Sequence, residues 1–258
     1  MKVNITSGLR ALPLLPLLLL SGPYAYAAGQ SELHTTSSVP RIAPVDLGTA
    51  RHFVILTESG ITDVPGSAIT GNVGVSPITG AADHLTCAEV TGEVYSVDAA
   101  GPAPCNIIDP TDLTAAVDDM HTAYTDAAGR APTTTNLDGG NIGGLTLRPG
   151  VYNWTTDVKI ASDLKLRGGM KGVWIFQIAG NLNVDNAVKV VVRRSALSRH
   201  IFWQVAGEAT LGTGSHVEGI VLSKNKVTMG TDASVKGRLY AQTALTLQMN
   251  TITAPPTY

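Results

Sequence analysis

One arrangement of apolar and polar positions recurs along the chain every eighteen residues. The stretch ATLGTGSHVEG, residues 209–219, returns as VTMGTDASVKG, residues 227–237, with the same order of apolar residue, Thr, apolar residue, Gly and Thr. The period fits six segments, which are Val54–Gly71, Val151–Gly168, Ile175–Val192, Phe202–Gly219, Ile220–Gly237 and Arg238–Pro255. A short fixed period indicates a solenoid, because one repeat cannot bury its apolar side alone and must stack on its neighbours.

The apolar columns of the repeat predict strands. Positions eight, ten and sixteen are apolar in almost every segment, and Asp63 at position ten is an exception. Spacing of two within a short segment is typical of a strand, because alternate side chains point to opposite faces. Glycine at position eighteen, as in Gly219 and Gly237, suits a tight corner that would exclude a side chain. The repeat therefore predicts a β-solenoid.

A helical pattern interrupts the repeat at residues 110–128. Apolar residues follow one another there at the spacing of one helix face, at Leu113, Val117, Met120 and Tyr124. Asp109 or Thr111 beside Pro110 supplies a start signal, and Gly129 supplies a stop. The opening strands of several repeats, such as HFVIL and HIFWQV, are apolar throughout, as strands are when both faces are covered. We therefore expect the helix to pack along the outside of these strands.

A second interruption, residues 76–105, is predicted to form a cap over one end of the solenoid. A cap there would cover a sheet edge that could otherwise recruit other strands. Cys87 and Cys105 lie in this segment, and in an oxidising compartment we expect them to form one disulfide, with two free thiols as the alternative.

The N-terminus predicts secretion. Lys2 and Arg10 precede the short apolar run Ala11–Leu20, and the small-residue motif Ala25-Tyr26-Ala27 follows. This order is typical of a signal peptide, here residues 1–28, and the apolar run is too short to span a bilayer. We therefore expect an extracellular protein with no membrane partner, in which residues 29–44 are a flexible segment and residues 45–258 form one solenoid domain.

Composition and motifs disfavour several classes of function. Charged residues make up 15% of the chain, the formal net charge is −2, and no long basic cluster is present, so nucleic acid is not an expected partner. No pair of histidines has metal-ligand spacing, and no phosphate-binding loop or nucleophile motif occurs. Asp163, Asp185 and Asp232 lie in separate repeats without repeating basic partners, which is typical of solvated turns. We expect neither a metal, nor a cofactor, nor an enzyme.

The outward positions nine to thirteen form a surface of small and mostly uncharged side chains. A Thr ladder is weak evidence by itself, because Thr is favoured in strands. Stacked turns repeat at about 4.8 Å and alternate strand residues at about 6.6 Å, spacings comparable to those between waters on a plane of ice. A rigid grid of this kind could order water into an ice-like layer, and many weak contacts made together would hold it there.

The sequence resembles the large microbial ice-binding (antifreeze) proteins. The resemblance runs from about Val45 to Pro255 and rests on segments such as ILTESGITDVPGSAITGNVGVSPITG, TAAVDDMHTAYTDAAGR, GGLTLRPGVYNW and IFWQVAGEATLGTGSHVEGIVLSK. It implies an all-β fold with one long helix: a right-handed, discontinuous β-helix or solenoid of about seven coils. It further implies a triangular section, a helix packed alongside, a capping loop, a first turn lying beside the last ones, and ice bound by one flat face.

The resemblance and the outward columns together select the candidate ice-binding residues. These are Thr213, Thr231, Asn250, Ser162, Thr210, Thr228, Thr246, Asn186, Gly212 and Gly230. The array departs from an ideal one at Lys159, Asp163, Asp185, Asp232 and Met249, and charges hold liquid-like water.

The expected function is adsorption of a monomer to the surface of an ice crystal, which gives thermal hysteresis and inhibits ice recrystallisation. Two alternatives stay open from the sequence. One is a secreted β-helix that binds or degrades polysaccharides, and the other is an adhesin for ice or another surface.

Overall fold

The computed structural model describes residues 41–256, so the predicted signal peptide and most of the predicted flexible segment lie outside the described residues. The one α-helix of this part is α1 (Pro110–Gly129). The strands are β1 (Phe53–Thr57), β2 (Gly60–Val64), β3 (Ala68–Thr70), β4 (Asn72–Val75), β5 (Val90–Thr91), β6 (Val94–Ser96), β7 (Asn106–Ile108), β8 (Thr134–Thr135), β9 (Thr146–Leu147), β10 (Gly150–Trp154), β11 (Val158–Ile160), β12 (Leu164–Gly168), β13 (Trp174–Ile178), β14 (Leu182–Val184), β15 (Val190–Arg194), β16 (Ile201–Val205), β17 (Ala209–Leu211), β18 (His216–Ser223), β19 (Val227–Met229), β20 (Ser234–Ala241), β21 (Ala244–Gln248) and β22 (Thr251–Thr253).

All paired strands run parallel and form a β-solenoid with three faces. The helix-covered face holds β1, β4, β6, β7, β8, β10, β13 and β16 with the second halves of β18 and β20. The threonine face is the six-stranded sheet, in the order β11, β14, β17, β19, β21, β2. The charged face holds β3, β5, β9, β12, β15 and β22 with the first halves of β18 and β20. The predicted solenoid fold is confirmed.

Strand register follows the eighteen-residue period. Residues at position one of five segments are direct partners across the sheet, in the order Val151, Ile175, Phe202, Ile220 and Arg238. Strands β18 and β20 each bend around a corner, where Gly219 has φ +120°. A Cβ on Gly237 would lie 1.7 Å from the carbonyl oxygen of Gly219. The predicted need for glycine at position eighteen is therefore a close approach between stacked corners.

The stacking order of the turns differs from their order in the chain. Strand β1 pairs with β20 on one side and with β4 on the other, and β2 pairs with β21. The first turn therefore lies beside the last one, as the resemblance implied.

The interior of the solenoid is a continuous apolar core. The side chains at positions eight, ten and sixteen are buried from the first turn to the last, with two exceptions: Asp63 is half-buried, and in the last turn Ile252 takes the buried place while Thr253 at position sixteen is exposed. Trp154, Phe176 and Trp203 are fully buried, and the rings of Phe176 and Trp203 stack with centroids 4.0 Å apart. Removing one such indole would cost roughly 3–5 kcal/mol. The backing of each face is therefore dry and tightly packed.

Helix α1 packs on the outside of the helix-covered face, as predicted. Its buried side chains, Leu113, Ala116, Val117, Met120, Ala123 and Ala127, meet a second apolar cluster that includes Phe53, Ile175 and Phe202. The Asp109 side chain caps the start by accepting from the backbone N–H of Asp112 at 3.0 Å. At the other end Nε2 of Gln177 lies within hydrogen-bonding distance of the carbonyl oxygens of residues 127, 128 and 130. The helix ends at Gly129, one residue beyond the prediction.

The cap forms at the end of the stack that carries the first turn. Strands β4, β6 and β7 extend the largest sheet beyond β1. Cys87 and Cys105 form the expected disulfide, with Cα atoms 5.6 Å apart. Glu89 joins the cap to the first turn, because its carboxylate accepts from the backbone N–H groups of Gly66 at 2.7 Å and Thr86 at 2.8 Å.

Candidate functional site

A ladder of outward side chains follows the threonine face from end to end. Direct strand partners at position nine are, in stacking order, Lys159, Asn183, Thr210, Thr228, Thr246 and Thr62. Adjacent strands of a sheet lie about 4.8 Å apart, so the last four positions place four Thr side chains in a straight row with that repeat.

The row rests on a rigid support. In β17, β19 and β21 the residues on either side of the outward Thr are fully buried; they are Ala209, Leu211, Val227, Met229, Leu245 and Leu247. Every Thr of the row except Thr62 therefore lies between two side chains packed in the core, and the paired strands hold its backbone on both sides. The methyl and hydroxyl groups are fixed in place before any partner arrives.

A second column runs parallel to the first, at the corner where the threonine face ends. It holds the position-twelve residues Ser162, Asn186, Thr213 and Thr231. The Asn186 side-chain oxygen accepts from the backbone N–H of Thr213 at 2.9 Å, and the Thr231 hydroxyl donates to the Gln248 side-chain oxygen at 3.1 Å. Both bonds tie one turn to the next and fix the orientation of the column.

Glycine separates the two columns in two consecutive turns. A Cβ on Gly212 would lie 2.7 Å from the backbone nitrogen of Asn186, and a Cβ on Gly230 would lie 2.7 Å from that of Thr213. Because those atoms belong to the backbone, a side chain there would push the stacked turns apart. The two glycines therefore keep the strip between the columns low and flat.

The prediction that Asn250 belongs to this surface is wrong, because its side chain is fully buried. Leu245 pairs with Val227 at a separation of eighteen residues, but Thr251 pairs with Ser234 at seventeen. The last turn is one residue shorter at this corner, which moves Asn250 into the buried column of Ala233. An eighteen-residue period applied without a gap cannot detect the shift.

Asn250 acts as an internal tie at this corner. Its side-chain nitrogen donates to the carbonyl oxygens of Gly230 at 2.7 Å and Ala233 at 3.1 Å. Its side-chain oxygen accepts from the backbone N–H of Gln248 at 2.6 Å. These bonds satisfy buried backbone groups that the shortened corner would otherwise leave unpaired.

The other nine candidate residues lie on the threonine face or at its corner. The exposed ones are Thr210, Thr213, Ser162 and Asn186, and the half-buried ones are Thr228, Thr231, Thr246, Gly212 and Gly230. The ten residues predicted from the sequence do not include Thr62, which is exposed and pairs directly with Thr246. Thr62 stands at position nine of its segment, so the eighteen-residue period contained the signal.

Charges on the threonine face gather at one end and at the rims. Lys159 on β11 pairs with Asp185, the residue after β14, at 3.1 Å, and Lys226 pairs with Glu208 at 3.5 Å along the opposite edge. Asp232 is exposed at the corner with φ +58°. From β17 to β2, positions nine, eleven and twelve carry no ionisable side chain. The uncharged part of the face is therefore four strands wide.

Three carboxylates lie close together where the cap meets the first turn. Burial opposes ionisation of Glu89, but hydrogen bonds from Thr86 and Gly66 outweigh it and hold its pKa at about 2. Burial raises the pKa of Asp63 and of Asp83 from 3.8 to about 6, and the nearby Glu89 carboxylate adds to both shifts. All three carboxylates accept hydrogen bonds within the junction between the cap and the first turn, so their role there is structural.

Residues 41–256 contain neither a metal-binding cluster nor a helix that could span a membrane. No group of three or more His, Cys, Asp or Glu side chains in this range is placed to hold a metal ion. None of its helices has the length and apolar character needed to cross a membrane.

The fold and this surface define a class of protein: a parallel β-solenoid with a helix on one face and a flat, threonine-bearing face left open. The Ice-binding-like family model matches residues 55–253, and the chain belongs to that family.

Relatives agree with this assignment over most of the chain. An ice-binding protein of Colwellia sp is 58% identical over 82% of this chain and 84% of its own length. One from Flavobacterium frigoris (strain PS1) is 56% identical over 82% of this chain and 76% of its own length. The solved structure of a glycosylated ice-binding protein from an Arctic yeast superposes with a TM-score of 0.79 at 37% identity, covering 84% of this chain and 97% of that one.

Proposed function

We propose that the protein adsorbs to ice through the threonine face, which lowers the freezing temperature below the melting temperature and inhibits ice recrystallisation. The observation that carries the proposal is the in-register row Thr210, Thr228, Thr246 and Thr62 on the uncharged part of the threonine face. The proposed contact surface also includes the corner residues Thr213 and Thr231 and the strip at Gly212 and Gly230.

The physical basis is a match between two lattices. Each Thr offers a hydroxyl that hydrogen-bonds water and a methyl that only borders it, so ordered water above the row can adopt positions close to those in ice. Single contacts of this kind are weak. Because the backbone and its support are already fixed, adsorption costs little conformational entropy, and many contacts act together.

The relatives support the same activity. The Colwellia and Flavobacterium proteins and the Arctic yeast protein are all named for ice binding. The first two are 58% and 56% identical to this chain over most of its length, so their named property is the natural expectation for this chain.

The place of action in this proposal is the extracellular space, where the protein works as a monomer. The predicted signal peptide supports export, and the Cys87–Cys105 disulfide fits an oxidising compartment. The mass of the protein recovered from culture medium tests this, since cleavage after residue 27 or 28 is expected. Recovery of the uncleaved chain inside cells would contradict it.

The proposal includes no catalytic step. Enzymatic cleavage of polysaccharides needs convergent carboxylates over a groove. Among the three carboxylates at the cap junction, Glu89 already accepts hydrogen bonds from backbone N–H groups. The threonine face is flat and offers no groove for a polysaccharide chain. Incubation with a panel of neutral and acidic polysaccharides should release no reducing ends, and release from any of them would favour the alternative of a polysaccharide-degrading solenoid.

The activity is tested by freezing-point measurements on purified protein in a nanolitre osmometer. We expect a gap between melting and freezing that shrinks strongly in Thr213→Tyr, Thr228→Tyr and Thr231→Tyr, because a phenol ring would lift the face off the lattice. Thr253→Tyr, an exposed position on the charged face, is the matched control and should keep full activity. If all four variants freeze like the unmodified protein, the wrong face has been proposed.

A further inference from the structure

Two short turns with the same basic dipeptide stand on one edge of the solenoid. The first Arg-His turn is the 3-10 helix Gly48–His52, which ends with Arg51 and His52 directly before β1. The second Arg-His turn is the 3-10 helix Ser198–His200, which ends with Arg199 and His200 directly before β16. Each turn therefore delivers an Arg and a His to the corner where the helix-covered face begins.

The two turns of the solenoid between them have no such insertion. In the stack, β1 is followed by β20, β18 and β16. Strands β18 and β20 pass the corner directly at Gly219 and Gly237, whereas β1 and β16 are preceded by the bulkier 3-10 turns. The corner is therefore recessed across β20 and β18, and the two Arg-His turns form the sides of the recess.

The recess is a cavity of about 630 Å³. Its lining includes Arg51, His52, Arg199, His200 and Arg238. Asp46 is the carboxylate among the lining residues, and its side chain accepts from the backbone N–H of Gly48 at 3.0 Å. The volume falls within the range of about 300–1,000 Å³ that is typical of sites for small molecules.

Arg238 places a charge where its counterparts are apolar. It holds position one of its turn, the position of Ile220 and Phe202 in the neighbouring turns, and it is 6% exposed. Its guanidinium donates to the carbonyl oxygen of Phe53. Among residues 41–256 no carboxylate forms an ion pair with it. A buried charge without a counter-charge is costly, which favours an anion beside it.

A second residue of the cavity wall, His200, also favours a bound anion. Its Nδ1 atom is buried without a hydrogen-bond partner. Burial, followed by the positive charge of Arg199, lowers its pKa. The imidazole is therefore desolvated and lies beside a positive charge, which an anion would offset, although a hydrogen bond with the backbone of Met170 raises the pKa in part.

We infer that this cavity is a binding site for a small amphiphile with one anionic head group, either carboxylate or phosphate, and an aliphatic body. The head group lies between Arg51 and Arg238, where guanidinium groups can form charge-assisted hydrogen bonds to its oxygens. The site is distinct from the threonine face and does not depend on ice binding.

The aliphatic body follows from the rest of the lining. Apolar side chains supply the remaining walls, among them Val45, Leu47, Val54, Ile220 and Pro255. The lining contains no Trp, Tyr or Phe, the side chains on which sugar rings usually stack. The surface therefore fits an alkyl chain better than a saccharide.

The test is isothermal titration of the purified protein with four eight-carbon probes below their micelle concentrations. We expect octanoate and octyl phosphate to bind with one-to-one stoichiometry, and the tighter of the two identifies the head group. Octan-1-ol and octyltrimethylammonium should bind at least roughly tenfold more weakly, since a hydrogen bond to a charged group contributes about 1.5–3 kcal/mol. In NMR spectra the imidazole signals of His52 and His200 should shift with the anionic probes.

Matched variants locate the site. Arg51→Gln, at an exposed position of the cavity wall, should weaken octanoate binding roughly tenfold or more by the same reasoning, while Arg167→Gln, an exposed arginine of the charged face, should leave it unchanged. Both variants should keep the thermal hysteresis of the unmodified protein. The inference is overturned if neither anion saturates a single site, if the cationic probe binds as tightly, or if the two variants bind alike. Equal affinity for inorganic phosphate and octyl phosphate would overturn the aliphatic part.

Discussion

The threonine face and the charged face are two sides of the same coil, and they differ mainly in what points outward. Both are parallel ladders backed by the same apolar core, with the same spacing between turns. The charged face presents the exposed side chains of Lys165, Arg167, Lys189 and Lys236, whereas the threonine face presents Thr at four consecutive positions. A regular backbone is therefore not sufficient for the proposed function. Short, stiff and uncharged side chains must stand on it.

Converting one face toward the other should have the largest effect. Thr210→Lys combined with Thr228→Lys would place two flexible, strongly hydrated ammonium groups in the middle of the row. We expect the loss of most of the thermal hysteresis, whereas the free energy of unfolding should change by only about 0.5 kcal/mol per surface substitution. Osmometry and thermal denaturation of the same sample check both statements. Full activity in the double variant would show that charge on this face does not matter.

The flat strip between the two columns of the threonine face can be disturbed by a substitution that leaves the Thr row unchanged. Gly230→Ala would place a Cβ 2.7 Å from the backbone nitrogen of Thr213 and so separate two stacked turns. We expect a partial loss of hysteresis together with a destabilisation of about 1–3 kcal/mol, as for other overpacked sites. Gly169→Ala, where no atom lies within 4 Å of the added carbon, is the control. Unchanged activity and stability in Gly230→Ala would mean that the turns adjust freely.

The buried Asn250 should behave in the opposite way to the exposed Thr residues. Asn250→Ala leaves the carbonyl oxygens of Gly230 and Ala233 and the backbone N–H of Gln248 without their partner. We expect a loss of stability of about 1–3 kcal/mol, from groups left unpaired in the interior. Below its melting transition the variant should keep most of its hysteresis. A variant that stays stable but loses activity would restore Asn250 to the ice-contacting surface.

The smallest effect on activity is expected from pH. The outward positions nine, eleven and twelve of the uncharged part of the threonine face carry no group that titrates, so hysteresis should stay constant between about pH 4 and 6. The free energy of unfolding, in contrast, should change with pH. The folded state binds protons at Asp63 and Asp83 more tightly than the unfolded chain does, because their pKa values are raised from 3.8 to about 6. The contribution of these two carboxyls to stability therefore falls as pH rises through this window, against an opposite contribution from the single His200, whose pKa is lowered by burial. Glu89, with its pKa lowered to about 2, changes stability only below about pH 4.5.

The substitution Asp83→Asn checks the origin of this pH dependence. It removes one of the two raised carboxyls, so the fall in melting temperature between pH 4 and 6 should become smaller. Asp118→Asn, an exposed position on α1, should not alter the slope. A melting temperature that rises across this window in the unmodified protein would contradict the assignment.

The sequence predicts the repeated parts of the molecule well and the exceptions poorly. Stacked turns must match residue for residue, so the eighteen-residue period already contains the register of Val151, Ile175, Phe202 and Ile220. The helix and the disulfide follow from local signals. Asn250 is misplaced when the period is applied without a gap, and the one mark of the missing residue is Thr253 at position sixteen, where Ile252 would continue the apolar column.

Features that depend on contacts between distant segments were also missed. Thr62 completes the row only because the first turn lies beside the last. The basic cavity depends on two 3-10 turns that flank a pair of tight corners, an arrangement that the separate Arg-His dipeptides do not reveal.

The most direct test of the central claim compares two exposed threonines of a single turn. Thr62 faces outward on the threonine face, and Thr70 faces outward on the charged face. Freezing points of Thr62→Tyr and Thr70→Tyr are measured at equal concentration against the unmodified protein. Strongly reduced hysteresis in Thr62→Tyr with full hysteresis in Thr70→Tyr is the expected result. Equal hysteresis in the two variants, or a loss confined to Thr70→Tyr, would contradict adsorption through the threonine face.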